Sequence, residues 1–343
     1  MTAPAPLRVA LVGYGMAGHD FHGPLLGATD GLVVTHVVTS DPTRVDAVHA
    51  DLPKAVTVPR AADLWPLAEE LDLVVLASPT AAHAAQALDA IAAGLPVVVD
   101  KPLGVNAAEG RRVVEAAEAA GVPLTVFQNR RWDSEHLTAR RLLAEGALGD
   151  VVRYEARYER WRPEPKQRWR ENLPAIEGGG LLLDLQSHLV DGALDLFGPV
   201  VSVFAELASL TTVGEDVTFL VVEHASGVRS HLGATSLAGA PGPRTRILGR
   251  TGSYLVANVA GETSAYAEWS DPDDDHRGWL VAGEERRAVQ REPGDWSAFY
   301  PAVVAMLRDG GPPPVNPWDA VAVLEILDAA QRSARERVVV SLA

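Results

Sequence analysis

Short apolar runs alternate with segments of helical periodicity over the first 127 residues. Runs of consecutive apolar residues are typical of strands buried on both faces, and their alternation with helices is typical of a parallel sheet covered on both sides. The predicted strands are 8–12, 33–39, 73–77, 96–99 and 124–127. Helices are predicted from residue 17 to beyond 25, across residue 83, and from 106 to 120. We therefore expect an α/β domain with a doubly wound parallel sheet.

The second half of the chain changes to runs in which apolar and polar residues alternate. Because glycine-containing turns separate several of them, we expect an α/β domain built on a large, mostly antiparallel sheet that is open on one face. The runs are 151–158, 200–206, 217–224, 229–234, 245–248 and 253–256. A length of 343 residues suits two domains, which we place at 1–127 and 128–343.

A glycine cluster follows the first predicted strand and fits the dinucleotide-binding pattern G-x-G-x-x-G. In such a unit the first glycine permits a tight turn, the second lets a pyrophosphate approach the backbone, and the third lets the helix pack on the strand. The alternative is an ordinary glycine-rich turn between a strand and a helix. The residues expected to line the phosphates are Gly13, Tyr14, Gly15, Met16, Ala17 and Gly18.

The residues after the second predicted strand bear on the choice between NAD and NADP. An acidic side chain there binds the ribose hydroxyls of NAD, whereas an arginine accommodates the extra phosphate of NADP. Asp41 and Arg44 favour opposite answers and Ser40 suits either, with a slight preference for NADP. Alternatively, Asp41 and Pro42 only begin the next helix, as its N-cap and first residue.

Polar residues also follow the third predicted strand. Ligands bind outside the carboxyl ends of parallel strands, so Ser78, Pro79 and Thr80 should border the same crevice as the glycine cluster. His83, in the following helix, either flanks the cofactor or occupies an ordinary helix position.

Lys101 follows the fourth predicted strand and should border that crevice too. Only three of the 30 cationic residues are lysines, so a lysine at this place favours a chemical role. The alternative is a surface ion pair with Asp100. A cis bond before Pro102 is one way to aim the Lys101 side chain.

A second constellation begins at Gly178, Gly179 and Gly180 and continues into an apolar helix that carries Asp184 and His188. The two side chains are four residues apart and so share one helix face. A histidine is suited to accept an alcohol proton near neutral pH, and the glycines permit a ligand to approach closely. Alternatively, Asp184 caps the helix and His188 is a satisfied core histidine, or the pair ligates a metal ion for which no third ligand is apparent.

Composition excludes several classes of protein. The formal net charge of −15 at pH 7 repels a phosphate backbone and argues against nucleic-acid binding. Without cysteine, the chain has no disulfides, thiolate metal sites or cysteine nucleophiles. No apolar window is long enough to span a membrane and the first six residues lack the features of a signal peptide, so we expect a cytoplasmic protein.

Taken together, these motifs resemble the Gfo/Idh/MocA family of NAD(P)-dependent oxidoreductases. The resemblance rests on the glycine cluster, on Asp100-Lys101-Pro102 in place of the usual Glu-Lys-Pro, and on the glycines that lead to Asp184 and His188. Segments 21–26, 128–133 and 168–171 resemble motifs of its scyllo-inositol dehydrogenase-like branch. One departure is Gln186, which stands where a glycine is common.

The resemblance implies a Rossmann domain at 1–127, a substrate-binding and oligomerisation domain at 128–343, and dimers or tetramers formed through the second sheet. It also implies reversible oxidation of a sugar or polyol secondary alcohol to a ketone. His188 would take the hydroxyl proton, Lys101 would hydrogen-bond the reacting oxygen, and Asp184 would orient His188 or hold a hydroxyl. Candidates for substrate hydroxyls, or equally for domain contacts, are Asn129, Arg131, Trp161 and Arg168. The alternative function is a non-catalytic NAD(P)-binding sensor of the same fold.

Overall fold

The computed structural model describes residues 4–166, 168–258 and 265–342. The expectation about a signal peptide concerns residues 1–6, of which 1–3 lie outside the described residues. The chain forms two compact units, which are residues 1–128 with 296–322 and residues 129–295 with 323–343. Among the described residues, no helix has the length and apolar character needed to cross a lipid bilayer.

The first unit contains a six-stranded parallel sheet, which confirms the predicted fold class. Its strands are Leu7–Val12 (β1), Leu32–Val38 (β2), Val56–Val58 (β3), Leu73–Leu76 (β4), Val97–Asp100 (β5) and Leu124–Phe127 (β6). They lie in the order β3-β2-β1-β4-β5-β6. The order reverses between β1 and β4, and in doubly wound sheets this reversal marks the ligand crevice. The glycine cluster follows β1 and is therefore at that crevice.

Helices connect the strands and also cover the second sheet. Their bounds are Gly23–Gly27 (α1), Pro42–Asp51 (α2), Thr80–Ala92 (α3), Ala107–Ala120 (α4), Ser134–Ala144 (α5), Trp169–Asn172 (α6), Ser187–Phe197 (α7), Phe299–Asp309 (α8) and Pro317–Glu336 (α9). Two π-helical segments, Ala17–His22 and Leu182–Gln186, lead into α1 and α7. Such segments are rare and often occur at functional sites.

The second unit contains a nine-stranded sheet. Its strands are Val151–Glu159 (β7), Val200–Ala208 (β8), Val217–His224 (β9), Arg229–Thr235 (β10), Thr245–Gly249 (β11), Ser253–Val256 (β12), His276–Ala282 (β13), Glu285–Gln290 (β14) and Val340–Ser341 (β15). The order is β14-β13-β12-β11-β7-β10-β9-β8-β15. Only the pairing of β7 with β10 is parallel among those described. The mostly antiparallel sheet is thus confirmed.

Helix α7 packs against one face of this sheet. Every second residue of β9 is buried while its neighbours are half-buried, as expected for a sheet with one covered face. Gln186 precedes α7, and its fully buried amide donates a hydrogen bond to the Leu232 carbonyl of β10 at 2.8 Å. The residue that departs from the family pattern therefore fastens the helix to the sheet.

Residues 296–322, which the sequence places in the second domain, lie in the first unit. The reason is an aromatic cluster in which Phe299 and Tyr300 of α8 pack against Phe127 of β6, with ring centroids 4.8 and 6.2 Å apart. The Thr125 hydroxyl also donates to the Val315 carbonyl at 2.8 Å. Contacts between segments so distant in sequence leave no signal in the local pattern of residues.

Candidate active site

The glycine cluster has the geometry that a dinucleotide needs. Gly13 has a φ of 97°, and a Cβ there would lie 2.7 Å from the Ala77 carbonyl oxygen. A Cβ on Gly18 would lie 2.0 Å from the Gly13 carbonyl oxygen, so only glycine permits this packing of helix on strand. Above Gly15, by contrast, a Cβ would meet only the guanidinium of Arg44 at 3.9 Å among the described residues. The tight turn and the accessible backbone fit a pyrophosphate.

The residues between the glycines differ in what they expose. Tyr14 is buried, and its hydroxyl donates to the Asp51 carboxylate at 3.0 Å. Met16 is half exposed, and Ala17 begins the π-helical segment. The Tyr14 side chain therefore joins this loop to α2, which leaves its backbone as the part that faces the crevice.

The capping interpretation of Asp41 is confirmed. Its carboxylate accepts hydrogen bonds from the backbone N–H groups of Thr43 and Arg44, and Pro42 is the first residue of α2. Arg44 is half exposed, with its Nε 3.6 Å from Asp41. The Asp41 carboxylate is thus committed to the helix start, whereas the Arg44 guanidinium reaches the glycine cluster. Ser40 is exposed beside them.

Residues after β4 and β5 lie at the same edge of the sheet as the glycine cluster, because β1, β4 and β5 are parallel neighbours. Pro79 is exposed, Thr80 is buried, and the Ser78 hydroxyl donates to the Gln86 side chain at 2.6 Å. Neighbouring parallel strands place these ends beside one another, as the sequence predicts.

His83 is buried rather than exposed to the crevice. Its Nδ1 lies 2.8 Å from the Pro102 carbonyl oxygen and its Nε2 lies 2.8 Å from the Ser78 carbonyl oxygen. The ring therefore ties together the segments that follow β4 and β5. This favours the interpretation of His83 as a structural helix residue over the one as a cofactor contact.

Lys101 is half-buried directly after β5. The Asp100 carboxylate accepts a hydrogen bond from the backbone N–H of Lys101 at 2.8 Å, and the Lys101–Pro102 peptide bond is cis. The Asp100 carboxylate therefore holds the Lys101 backbone, from which the Lys101 side chain extends.

In the second unit, Asp184 pairs with an arginine of α6. The Nε of Arg170 lies 3.4 Å from the Asp184 carboxylate, and both side chains are about one-quarter exposed. The pKa of Arg168 is raised, first by its hydrogen bond to Glu171 and also by the charge of Asp184. Asp184 lies inside the π-helical segment, so it does not cap the helix.

The glycine run before Asp184 accommodates the protein itself. A Cβ on Gly179 would lie 1.8 Å from the Leu173 carbonyl oxygen. Gly180 has a φ of 80°, and a Cβ there would lie 2.2 Å from the Glu215 carboxylate. Protein atoms therefore occupy the Cβ direction at these two positions, so the packing of the chain itself requires glycine there.

His188 borders a cavity of about 30 Å³ inside the second unit. Tyr158, whose ring centroid is 6.3 Å from that of His188, has two guanidinium groups close to its ring. The guanidinium carbons of Arg244 and Arg130 are 3.6 and 5.5 Å from the Tyr158 ring centroid. Burial raises the pKa of Tyr158 although both arginines oppose the shift. His188 therefore borders a cavity lined partly by charged and polar side chains, and not only by apolar ones.

The four predicted substrate contacts have different environments. Asn129 is buried. Trp161 is 60% exposed, and its backbone forms an isolated antiparallel β-bridge with Leu237. The Arg131 guanidinium donates two hydrogen bonds to Asp191, at 2.9 and 2.6 Å, and both side chains are nearly buried. Arg131 therefore anchors α7, whereas Arg168 donates hydrogen bonds to Glu171 and its pKa responds to the charge of Asp184.

Among the described residues, no group of three or more His, Asp or Glu side chains is arranged to hold a metal ion.

Comparison with known proteins decides the family. Residues 7–128 match the oxidoreductase family with an NAD-binding Rossmann fold, and residues 136–255 match the GFO/IDH/MocA C-terminal domain. The chain belongs to the Gfo/Idh/MocA family. It is therefore an oxidoreductase, and its cofactor is NAD or NADP.

Relatives match this Gfo/Idh/MocA protein along nearly its whole length. The oxidoreductase YdgJ of Escherichia coli is 35% identical, with 98% of this chain and 99% of the relative covered. The scyllo-inositol 2-dehydrogenase (NADP(+)) IolW of Bacillus subtilis is 31% identical, covering 96% and 94%. The solved structure of the oxidoreductase YPO2259 of Yersinia pestis is 34% identical, covers 99% of this chain and 98% of that one, and has a TM-score of 0.86.

Three residues near His188, Arg130, Tyr158 and Arg244, are not among the site residues predicted from the sequence. Arg130 lies between the predicted contacts Asn129 and Arg131, and Tyr158 occupies a buried position of β7, so the sequence contains a signal for both. Arg244 precedes β11 after a turn with no distinguishing pattern, so only the folded sheet shows that it reaches Tyr158.

Proposed function

We propose that this oxidoreductase reversibly converts a secondary alcohol of an inositol or a related polyol to a ketone, with NADP as the preferred cofactor. The observation that supports this most is the ion pair between Asp184, on the π-helical segment that leads to His188, and Arg170 of α6. Arg168, which precedes α6, adds a second guanidinium whose pKa responds to the charge of Asp184. Partly exposed carboxylate and guanidinium groups suit a ligand with many hydroxyls, because they can accept and donate several hydrogen bonds. The name of the relative IolW agrees with this substrate class.

The chemistry requires removal of a proton and a hydride from one carbinol. The nicotinamide ring, when bound, supplies the acceptor for the hydride. His188 takes the hydroxyl proton as general base, since an imidazole has a suitable pKa near neutral pH. Lys101 donates a hydrogen bond to the reacting oxygen and stabilises negative charge that develops there. Asp184, paired with Arg170, holds an adjacent hydroxyl.

The preference for NADP rests on Arg44. Its guanidinium lies near Gly15 and is half exposed, which is suitable for binding a ribose phosphate. Asp41, the residue that would favour NAD, already accepts two backbone hydrogen bonds at the start of α2. Ser40 adds a hydroxyl donor at the same place.

Substrate hydroxyls are bound by Arg168 and Asn129, and Trp161 packs against the polyol ring. Arg131 supports them indirectly by holding α7 through Asp191. The half-buried face of the second sheet forms the contact of a homodimer or homotetramer. Light scattering of the purified protein tests the last point, and a monomer at all concentrations contradicts it.

The reaction is tested with purified protein, NAD⁺ or NADP⁺, and a panel of scyllo-inositol, myo-inositol and aldoses. We expect absorbance of the reduced nicotinamide with NADP⁺ and an inositol. Cofactor binding measured separately by fluorescence, without hydride transfer to any alcohol or from any ketone of the panel, would instead identify a non-catalytic sensor.

A further inference from the structure

A buried histidine in the first unit lies against the residue that precedes Lys101. His22 is completely buried, and its Nδ1 is 2.6 Å from the hydroxyl of Tyr300, which is also completely buried. Its Nε2 is 4.0 Å from Oδ1 of Asp100 and has no hydrogen-bond partner among the described residues. A buried N–H without a partner is costly, so the orientation of this ring calls for an explanation.

The contacts of the ring fix where its proton lies. Burial lowers the pKa of His22, although the charge of Asp100 opposes the shift, so the ring is neutral near pH 7. A neutral imidazole has one donor and one acceptor. The Tyr300 hydroxyl can donate to Nδ1 or accept from it, so the Asp100 carboxylate near Nε2 decides the tautomer: it favours the proton on Nε2, and Tyr300 then donates to Nδ1. That N–H is the one that faces the Asp100 carboxylate.

Asp100 contacts both His22 and the backbone of Lys101. The same oxygen, Oδ1, that faces His22 also accepts the backbone N–H of Lys101 at 2.8 Å. An imidazole N–H 4.0 Å away is too distant for a hydrogen bond but still attracts the carboxylate in a buried, low-dielectric site. The ring of Phe127, with its centroid 4.5 Å from that of His22, holds the imidazole in place.

We propose that His22 is a positioning residue for Lys101, which it orients through Asp100. This inference rests on the proposed role of Lys101 at the reacting oxygen. It gives a chemical role to one residue of the 21–26 segment, which resembles a motif of the scyllo-inositol dehydrogenase-like branch. A purely structural role would instead require only that His22 fill space and bond to Tyr300.

A matched pair of substitutions separates these two roles. In His22→Asn the side-chain amide replaces the Nδ1 position and keeps the Tyr300 contact, but nothing faces Asp100. In His22→Gln the amide reaches the Nε2 position and keeps a donor toward Asp100. With scyllo-inositol and NADP⁺, we expect His22→Asn to lower kcat about tenfold with little change in the KM for NADP⁺, and His22→Gln to recover most of that loss.

The control is His224→Asn in the second unit. His224 is also buried, and its ring nitrogens contact the Gly198 carbonyl and the Ser230 hydroxyl. We expect this variant to lose thermal stability while its kcat stays within twofold of wild type. Equal loss of kcat in His22→Asn and His22→Gln, in proportion to their melting temperatures, would overturn the proposal.

A second readout requires no turnover. The chain has only three lysines, Lys54, Lys101 and Lys166, and Lys54 and Lys166 are exposed. Competitive labelling with trace acetic anhydride, read by mass spectrometry, therefore reports on Lys101 against two internal standards. We expect at least a twofold change at Lys101 in His22→Asn and no change in His22→Gln. An unchanged ratio in both variants would overturn the proposal.

Tyr300→Phe serves if His22→Asn does not fold, because it keeps the aromatic packing and removes only the hydroxyl that holds Nδ1 of the His22 ring. We expect the same selective change in Lys101 labelling, and no change would contradict the proposal.

Combining His22→Asn with Asp100→Asn should give losses in kcat that are less than multiplicative, because both substitutions disrupt the same contact between His22 and Asp100. Multiplicative losses would mean that the two residues act independently.

Lys101→Met distinguishes failure of this inference from failure of the proposed function. If Lys101→Met suppresses turnover while His22→Asn alters neither kcat nor labelling, only the positioning role fails. If Lys101→Met leaves turnover within a few-fold of wild type, both the assigned role of Lys101 and the purpose of its positioning fail.

Discussion

The guanidinium carbon of Arg44 lies 4.0 Å from the position that a Cβ of Gly15 would occupy. This places a half-exposed cation beside the only glycine of the motif whose space stays accessible among the described residues. The relationship joins the phosphate-binding turn to the residue that favours NADP. It leads directly to a test of cofactor preference.

We expect Arg44→Ser to raise the KM for NADP⁺ by about tenfold or more, because one charge-assisted hydrogen bond to a phosphate contributes roughly 1.5–3 kcal/mol. The KM for NAD⁺ should change less than twofold. Asp41→Asn is the matched control, since asparagine also caps helices well and the substitution removes only the charge. Steady-state kinetics with both cofactors measure this. A shift of equal size for NAD⁺ and NADP⁺ would contradict the assignment.

His188→Ala should lower kcat by about 100-fold or more if His188 transfers the hydroxyl proton. Cofactor affinity, followed by fluorescence, should stay close to that of wild type. Turnover within a few-fold of wild type removes His188 from this role, and a loss of cofactor affinity of similar size points instead to a change in the fold.

Gly180→Ala should destabilise the protein more than Gly121→Ala. Both glycines have a positive φ, of 80° and 64°, so an alanine at either position carries a conformational cost of about 1–2 kcal/mol. A Cβ at Gly180 would also lie 2.2 Å from the Glu215 carboxylate, whereas no described atom lies within 4 Å of a Cβ at Gly121. Chemical denaturation of the two variants isolates the steric part. Equal free energies of unfolding for the two variants would show that the segment around Gly180 rearranges to accommodate the methyl group.

Acid should destabilise the second unit through Asp195. Burial opposes ionisation of this carboxylate, but hydrogen bonds from His136 and Arg140 outweigh it and hold the pKa well below its usual range. A depressed native pKa contributes stability above the unfolded value of 3.8, and that stability is lost as the pH falls further. Denaturation curves should therefore show a smaller decrease below about pH 4 for Asp195→Asn than for wild type. Parallel curves would exclude this contribution.

The sequence predicts the parallel sheet well because buried strands such as Leu124–Phe127 are apolar runs with clear ends. Strand β3, at Val56–Val58, is too short and too exposed to produce such a run. The placement of Phe299 and Tyr300 beside Phe127 depends on contacts across more than half the chain, so no local pattern indicates it.

For the site, the sequence identifies residue types suited to redox chemistry, such as Lys101 and His188, but not their surroundings. Asp184 pairs with Arg170 because the segment before α7 folds back toward it. At Gly179 and Gly180 the absence of a Cβ lets the Leu173 backbone and the Glu215 side chain approach closely. Such close approaches depend on tertiary contacts with residues outside the motif, so the motif alone does not predict them.

The most direct test of the proposed reaction is the reduction of NADP⁺ by scyllo-inositol, followed by the absorbance of reduced nicotinamide, with wild type and Lys101→Met side by side. We expect steady turnover by wild type, weaker turnover with NAD⁺, and strong suppression in Lys101→Met with NADP⁺ binding retained. Bound NADP⁺ with no turnover of any polyol or its ketone by wild type would contradict it.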